Sequence, residues 1–413
     1  MDPESARPSA GGWLPRTFSA FRYRDFRVMW LGAFTSTTGS LMQQVAQSWL
    51  ILQLTGLSFY LGLTSFLAQL PLVLFSLIGG ALADRVDRRK LLLFSQAVQM
   101  TTAFVLTALV FFDVVEVWHF LVLVFVAGLG QAFGGPAYQA LIPGLVKRQD
   151  MPNAIALNSI QFNLARVAGP MLAAVVMATL GAVFCFALNG LSFLAVIVSL
   201  LLIKSTFRPP KTDATVTSQI KEGVRFVLGK RSLRQLMFLG FVSTFCGVPL
   251  LTLLPAFVKN VYQMGEVTYS WMMSIAGAGA VVGALIFAGL SGFSRRGLVT
   301  LWAQLALAVL TAAFAFSSHW MVASVFLFAA GTCLIGLFAS ITSLVQLATT
   351  DEMRGRVMSL FLLAFRGGMP AGDLTAGALA DFYSPPVAIL FLALLLGCVS
   401  SAFLLFGERV KQL

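Results

Sequence analysis

About twelve stretches of roughly 20 apolar residues recur along this 413-residue chain, and a helical run of that length matches a hydrocarbon core of about 30 Å. Lipid offers no partner to a backbone N–H or C=O. A segment that crosses it must satisfy those groups internally, as an α-helix does. The runs lie near residues 27–53, 60–83, 91–112, 117–140, 154–180, 182–203, 233–257, 268–290, 298–317, 321–347, 357–382 and 386–406. Composition agrees, with 58% hydrophobic and 11% charged residues and a mean hydropathy of +0.87. The sequence therefore predicts an all-α membrane protein of twelve transmembrane helices.

Charge placement tests that number independently, because Lys and Arg collect in cytoplasmic loops. With both termini cytoplasmic, all but three of the 28 Lys and Arg residues fall on the cytoplasmic side or at its span ends. The exceptions are Arg166 and Arg366, inside spans, and Lys259, on the opposite side. A net charge of +12 and a pI near 10.0 would suggest nucleic acid in a soluble chain. Here topology and attraction to anionic inner-leaflet lipid explain it, so no nucleic-acid partner is expected.

The chain also repeats itself 200 residues apart. Ala165-Arg166-Val167-Ala168-Gly169-Pro170 answers to Phe365-Arg366-Gly367-Gly368-Met369-Pro370, and His119 and His319, beside Trp118 and Trp320, keep the same offset. The expected organisation is two pseudo-symmetric six-helix bundles, residues 27–203 and 233–406, with cytoplasmic tails 1–26 and 407–413 and a cytoplasmic linker 204–232. In the linker, Ile220, Val224, Val227 and Leu228 recur at helical spacing opposite Lys221, Glu222 and Arg225, the pattern of an amphipathic helix on the membrane face or of a solvated one. Residues 1–20 contain no apolar h-region and read as a short tail. Cys185, Cys246, Cys333 and Cys398 fall in spans without a CxxC, so packing is expected of them and neither disulfides nor zinc. With two His residues and no HExxH, G-x-S-x-G or Walker loop, an enzyme, a bound cofactor, a metal site and an ATP-driven pump are not expected.

Between the second and third spans stands Gly80-Ala81-Leu82-Ala83-Asp84-Arg85-Val86-Asp87-Arg88-Arg89-Lys90. Glycines 79 and 80 let another helix approach closely, and an acid followed by arginines can form an ion-pair cluster or sit against a helix N-terminus in a neighbouring loop. The stretch resembles the loop signature of the major facilitator superfamily, G-x-x-x-D-R-x-G-R-R, at Gly80, Asp84, Arg85, Arg88 and Arg89, and departs from it at Asp87. The resemblance implies the major facilitator fold and a gating role for this loop, with Asp84 and Arg88 locking the inner gate while the protein faces outward. The second half's counterpart, Gly289 to Arg296, has no acid, so a one-sided lock is expected.

Exporters of that superfamily often carry G-x8-G-x3-G-P-x2-G-G in the fifth span. This chain has Ala156, Ala165, Gly169, Pro170, Ala173 and Ala174 there, small residues throughout but a single glycine. Gly169, Pro170 and Pro370 mark expected kinks. The stretches Leu141 to Val146, Asn153 to Asn158 and Arg354 to Met358 look most like the branch of the enterobactin exporter and related transmembrane secretion effectors.

Candidate site residues follow from depth. At about 1.5 Å per residue, Arg166 and Arg366 stand roughly 18 and 14 Å from their spans' inner ends, near the midplane. A charge there costs several kcal/mol unless paired or hydrated. Two roles are open: attracting an anionic group of the cargo, or holding backbone carbonyls at the Pro170 and Pro370 kinks. Asp373, seven residues after Arg366, is the one carboxylate well inside a span. It is a candidate proton carrier, or else a permanent ion pair or a hydrated outer-vestibule charge. Asp25, Asp113, Glu116, Glu266 and Asp381 lie at span ends, where solvation is expected. Gln43, Gln47, Gln69, Gln131, Asn158 and Gln161 are candidates to line a neutral polar path, or to bond between helices.

These observations point to a bacterial inner-membrane secondary transporter that exports a small amphiphilic molecule, siderophore-, drug- or metabolite-like, by alternating access, with protons as the coupling ion. The runner-up is a lipid or lysolipid transporter of the same fold.

Overall fold

The computed structural model describes residues 18–83, 86–203, 216–289 and 295–411, without the side chains of residues 77, 81, 83, 216–220, 288 and 409. Twelve long helices run through them: α1 Arg24–Thr55, α2 Phe59–Ala83, α3 Arg88–Phe111, α4 Val117–Leu141, α5 Met151–Thr179, α6 Ala182–Leu202, α7 Arg231–Gly247, α8 Glu266–Gly289, α9 Arg296–Phe316, α10 Trp320–Leu347, α11 Arg354–Phe382 and α12 Pro385–Phe406. Apart from α7, each agrees with the expected span to within three residues. Among the described residues, ten spans are long and apolar enough to cross a membrane. The other two helices, α1 and α11, carry the polar residues: Ser, Thr and Gln along α1, and Arg366, Asp373 and Asp381 along α11. Each is packed among several neighbours, α1 on α5 and α6, α11 on α2, α7 and α12.

Local signals set the ends. Gly56 closes α1 in the left-handed region, φ 67°, and returns its N–H to Leu52. Asp87 caps α3 by accepting from Arg89 N. The two repeated histidines have one job each at matching positions: His119 Nδ1 accepts from Glu116 N at the start of α4, and His319 Nδ1 from Met321 N at the start of α10. The expected seventh span is broken. Pro249 and Pro255 each lack a backbone donor, and beyond Gly247 the chain runs through the short helices Pro249–Thr252 and Leu254–Ala256 to a π-helical turn Phe257–Val261. The linker helix Val216–Gly229 lies against α11, where Gly223 meets Arg356 and Leu360 and Glu222 pairs with Arg356.

Helices α1–α6 pack on one another, as do α7–α12, and the pairs α2–α11 and α5–α8 make the main contacts between these bundles. The first and last described residues, Phe18 and Lys411, lie on one side, here the terminus side; the other is the far side. On the terminus side the core is divided, one apolar cluster running from Ala20 to Ile203 within the first bundle and another from Val227 to Val410 within the second. On the far side a single cluster joins Trp49, Leu52 and Leu61 to Leu254, Tyr269 and Ala376 across both bundles. The bundles thus touch at the far side and part toward the terminus side. Helix α11 records this: on its terminus-side turns one face is buried, by 357, 361 and 365, whereas none of residues 371–380 on its far turns is exposed.

On the terminus side, the turn Ser19–Arg22 packs on the start of α5, with Ala20 N donating to Asn153 Oδ1 at 2.9 Å and the Tyr23 hydroxyl to Asp150 Oδ2 at 2.7 Å. Hydrogen bonds from Ser19 and Tyr23 hold the Asp150 carboxyl below the usual carboxylate range. A group lowered on folding stabilises above its ordinary range, and that contribution is lost as the pH falls through the lowered value. Asp150→Asn is expected to reduce the melting temperature in detergent near neutral pH, and the gap from wild type to close below about pH 4. A gap that persists unchanged into acid would contradict this role.

Candidate functional site

The two bundles meet where bulk is missing. Gly62 of α2 lies over the Asp373 carbonyl of α11, and Gly277 of α8 over the Arg166 carbonyl of α5. A Cβ on Gly277 would stand 2.5 Å from that oxygen, so each glycine is what lets the helices approach. Both of these close approaches therefore fall on residues charged within the spans.

Asp373 is 1% exposed. Ser65, from α2 of the first bundle, donates to its Oδ2 at 2.5 Å, and Thr252, from the second bundle, to its Oδ1 at 2.9 Å. Among the described residues no Lys, Arg or His pairs with it. The carboxyl is held by one hydroxyl from each bundle, so parting the bundles on the far side breaks one of its two bonds.

Arg166 and Arg366 stand where the bundles begin to separate. Helices α5 and α11 start three residues earlier than expected, which raises the two residues to about 22 and 18 Å from the helix ends. Exposure repeats at the 200-residue offset: 155, 159 and 162 are exposed on α5, and 355, 359, 362 and 366 on α11. Arg366 shares its helix face with Asp373, two turns further on. Arg166 is half-buried, its guanidinium 4.9 Å from the Phe162 ring centre. Among the described residues neither arginine pairs with an acid or donates to a carbonyl at the Pro170 or Pro370 kink, so the backbone-holding role finds no support.

The expected neutral path is partly dismantled. Gln161 is 2% exposed and donates to the Ala33 carbonyl of α1 at 3.2 Å, so it ties α5 to α1 and lines no opening. Gln43 accepts from Asn189 of α6 at 2.6 Å, and Asn158 from the Tyr138 hydroxyl at 2.6 Å, both bonds within the first bundle. Gln47 and Gln69 are half-buried and Gln131 is exposed. Gly169 serves contact, facing Leu41 and the Thr38 carbonyl of α1. Pro170 and Pro370 lie inside α5 and α11.

The profile of the transmembrane secretion effector family matches residues 15–412, nearly the whole chain. The chain belongs to that family. It is 28% identical over 396 residues to the multidrug efflux pump Tap of Mycolicibacterium fortuitum, covering 92% of this chain and 95% of the relative. It is 24% identical to macrolide efflux protein A of Streptococcus pyogenes, with 86% and 89% covered, and 25% identical to the enterobactin exporter EntS of Escherichia coli, with 90% and 89% covered. In fold it resembles a bacterial homologue of the lysosomal transporter Spinster, solved inward-facing and unoccupied, with a TM-score of 0.72 at 12% identity, covering 97% of this chain and 98% of that one. A peptide transporter of the POT family superposes with a TM-score of 0.75 at 13% identity, covering 94% and 95%. This secretion effector is thus a multi-span membrane transporter of the major facilitator superfamily, not an enzyme.

For a secretion effector the loop after α2 is the expected gate. Asp84 and Arg85 lie outside the described residues, as do 290–294 of its counterpart. Of the rest, Arg88 donates to the Ala140 carbonyl of α4 at 2.9 Å, and Arg89 to the carbonyls of Leu201 and Ile203 at the end of α6 at 3.2 and 3.3 Å. These arginines sit at helix C-termini, where the dipole favours a cation. Gly79 gives close contact, to the Ala132 carbonyl of α4, whereas nothing lies near Gly80, which corrects its expected packing role.

Sequence reasoning missed Ser65 and Thr252, whose hydroxyls carry no signal until the helices are placed. It also misjudged Asp381. That carboxylate is not merely solvated: it accepts from Ser58 N at 2.7 Å and Phe59 N at 2.9 Å, the first backbone donors of α2 in the other bundle. Gly62→Val and Gly277→Val are each expected to keep expression and cut transport at least about tenfold, because a few added methyls against backbone cost more than 1.4 kcal/mol. Transport at the wild-type rate in both would show that the close approach is dispensable.

Proposed function

We propose that this protein exports a small amphiphilic molecule from the bacterial cytoplasm by alternating access, exchanging it for protons at Asp373. In this reading the terminus side is cytoplasmic, the membrane is the inner membrane, and the structure is the inward-open state. The observation that carries it is the Asp373 carboxyl, buried between hydroxyls of opposite bundles. An ionised carboxyl cut off from water costs several kcal/mol, and two hydroxyl bonds of about 1 kcal/mol each offset only part of that. A proton taken up while the far side is open lets the carboxyl enter the sealed state neutral, and it leaves toward the cytoplasm only when cargo loading brings water to the carboxyl from the terminus side. Arg166 and Arg366, on the faces that part, attract an acidic or anionic group of the cargo, and the apolar residues around them, such as Phe162 and Leu362, take its hydrocarbon. Relatives named for efflux of several drugs, of macrolides and of enterobactin support an amphiphile as cargo.

The test is transport in proteoliposomes with an imposed pH gradient, using labelled siderophores, hydrophobic cations and lysolipids. Asp373→Asn is expected to abolish gradient-driven accumulation, by at least about tenfold, while cargo exchange at equal pH continues, because binding and rocking survive without the proton. Accumulation at the wild-type level would refute the coupling role. Arg166→Gln and Arg366→Gln are expected to raise the half-saturating concentration of an acidic cargo about tenfold, leaving a neutral cargo nearly unchanged. Equal losses for both cargoes would assign the arginines to structure.

A further inference from the structure

Among the described residues, Lys259 is the one Lys or Arg on the far side, against the trend of the other loops. The structure gives it a partner: its Nζ donates to the Leu52 carbonyl at 3.3 Å. That carbonyl belongs to the last turn of α1, where Gly56 N also reaches it. Lys259 thus sits at the negative end of the α1 dipole. Six residues after Leu52, at Ser58, Asp381 does the reverse, its carboxylate accepting the first N–H groups of α2 at the positive end of that helix. The helix ends they grip belong to one hairpin, α1 to α2, of the first bundle, and both charges come from the second. Lys259 is carried on the π-helical turn Phe257–Val261, followed by Gln263 at φ 54°, a backbone state few side chains adopt. Beneath them Trp49 of α1 stacks on Tyr269 of α8, ring centres 6.0 Å apart.

We infer that Lys259 and Asp381 form a far-side latch, a pair of opposite charges that cap the two ends of the α1–α2 hairpin and hold the outer gate shut while the cavity faces the termini. The inference rests on the alternating-access reading. Opening the far side carries the hairpin away from the second bundle, so both caps are lost in that one movement and regained on closure. Because each charge is matched to a helix end and not to a countercharge, the latch needs no acid or base in the first bundle and leaves no ion pair to separate. The far-side water that reaches Asp381 moderates its strength, which suits a contact that must break in every cycle.

The test is pulsed electron resonance on the full-length protein in nanodiscs, with Cys185, Cys246, Cys333 and Cys398 replaced. One spin-label pair replaces the exposed Leu57 and Tyr383, spanning the latch, and a second replaces the exposed Gln149 and Thr350 on the terminus side. Lys259→Met, Asp381→Asn and the double variant are expected to shift the far-side pair toward longer distances and the terminus-side pair toward shorter ones, changing the population ratio about fivefold in each single variant, the weight of one partly exposed charge-assisted bond. Asp381→Asn keeps one acceptor and the size of the side chain, so a folding defect is not expected. If acidification moves both pairs in every protein but the variants match wild type, the latch is overturned while alternating access stands. If neither pair moves in any protein under either condition, alternating access falls, and the latch with it.

Discussion

The far-side seal between the bundles is the contact on which the rest of the structure depends. One continuous apolar cluster crosses it, whereas the terminus side has two separate ones. Glycines make the approach possible, and Gly62 and Gly277 approach the backbones of Asp373 and Arg166. The geometry that closes one side therefore also fixes where charge stands inside the membrane. With the seal intact, Asp373 is shut in between Ser65 and Thr252, and the exposed faces of α5 and α11 border the opening on the other side.

Charges in a low-dielectric setting need a partner, water or a helix end, and this chain uses all three. Arg88, Arg89 and Lys259 sit at helix C-termini and Asp381 at an N-terminus. Arg366 is exposed on a face that parts from the other bundle. Asp373 is held by hydroxyls alone among the described residues, and that difference is why the proposed proton exchange is assigned to it. Helix-end caps are well suited to a moving machine, because a cap can be broken and remade by a rigid-body motion without disturbing either helix.

Much of this was legible in the residues. Apolar run length gave the helices to within three residues in eleven of twelve cases, because lipid forces the backbone to satisfy itself. The 200-residue repeat singled out Arg166, Arg366 and the capping histidines, although Arg166 is half-buried where Arg366 is exposed. The exception to the charge pattern, Lys259, was visible without its meaning, which needed the α1 carbonyl that it meets. Gln161 misled because an amide on a membrane helix reads the same whether it faces a path or a neighbouring carbonyl. Ser65 and Thr252 were hidden for a similar reason: hydroxyls in helices usually bond their own backbone, and only the packing of α2 and the Pro249 segment on α11 turns these two toward Asp373. The break in the seventh span was announced by Pro249 and Pro255, but apolar length alone concealed it.

The central claim is that a single pocket between the bundles opens to one side at a time. It is tested most directly by placing single cysteines at Phe162 and Leu362, on the parting faces, and labelling with a membrane-impermeant maleimide from each side of oriented vesicles. The account predicts labelling from the terminus side at rest, shifting to the far side when a pH gradient and cargo drive the cycle. Labelling from both sides at once under every condition, as in a continuous pore, or from neither side under any, would contradict it.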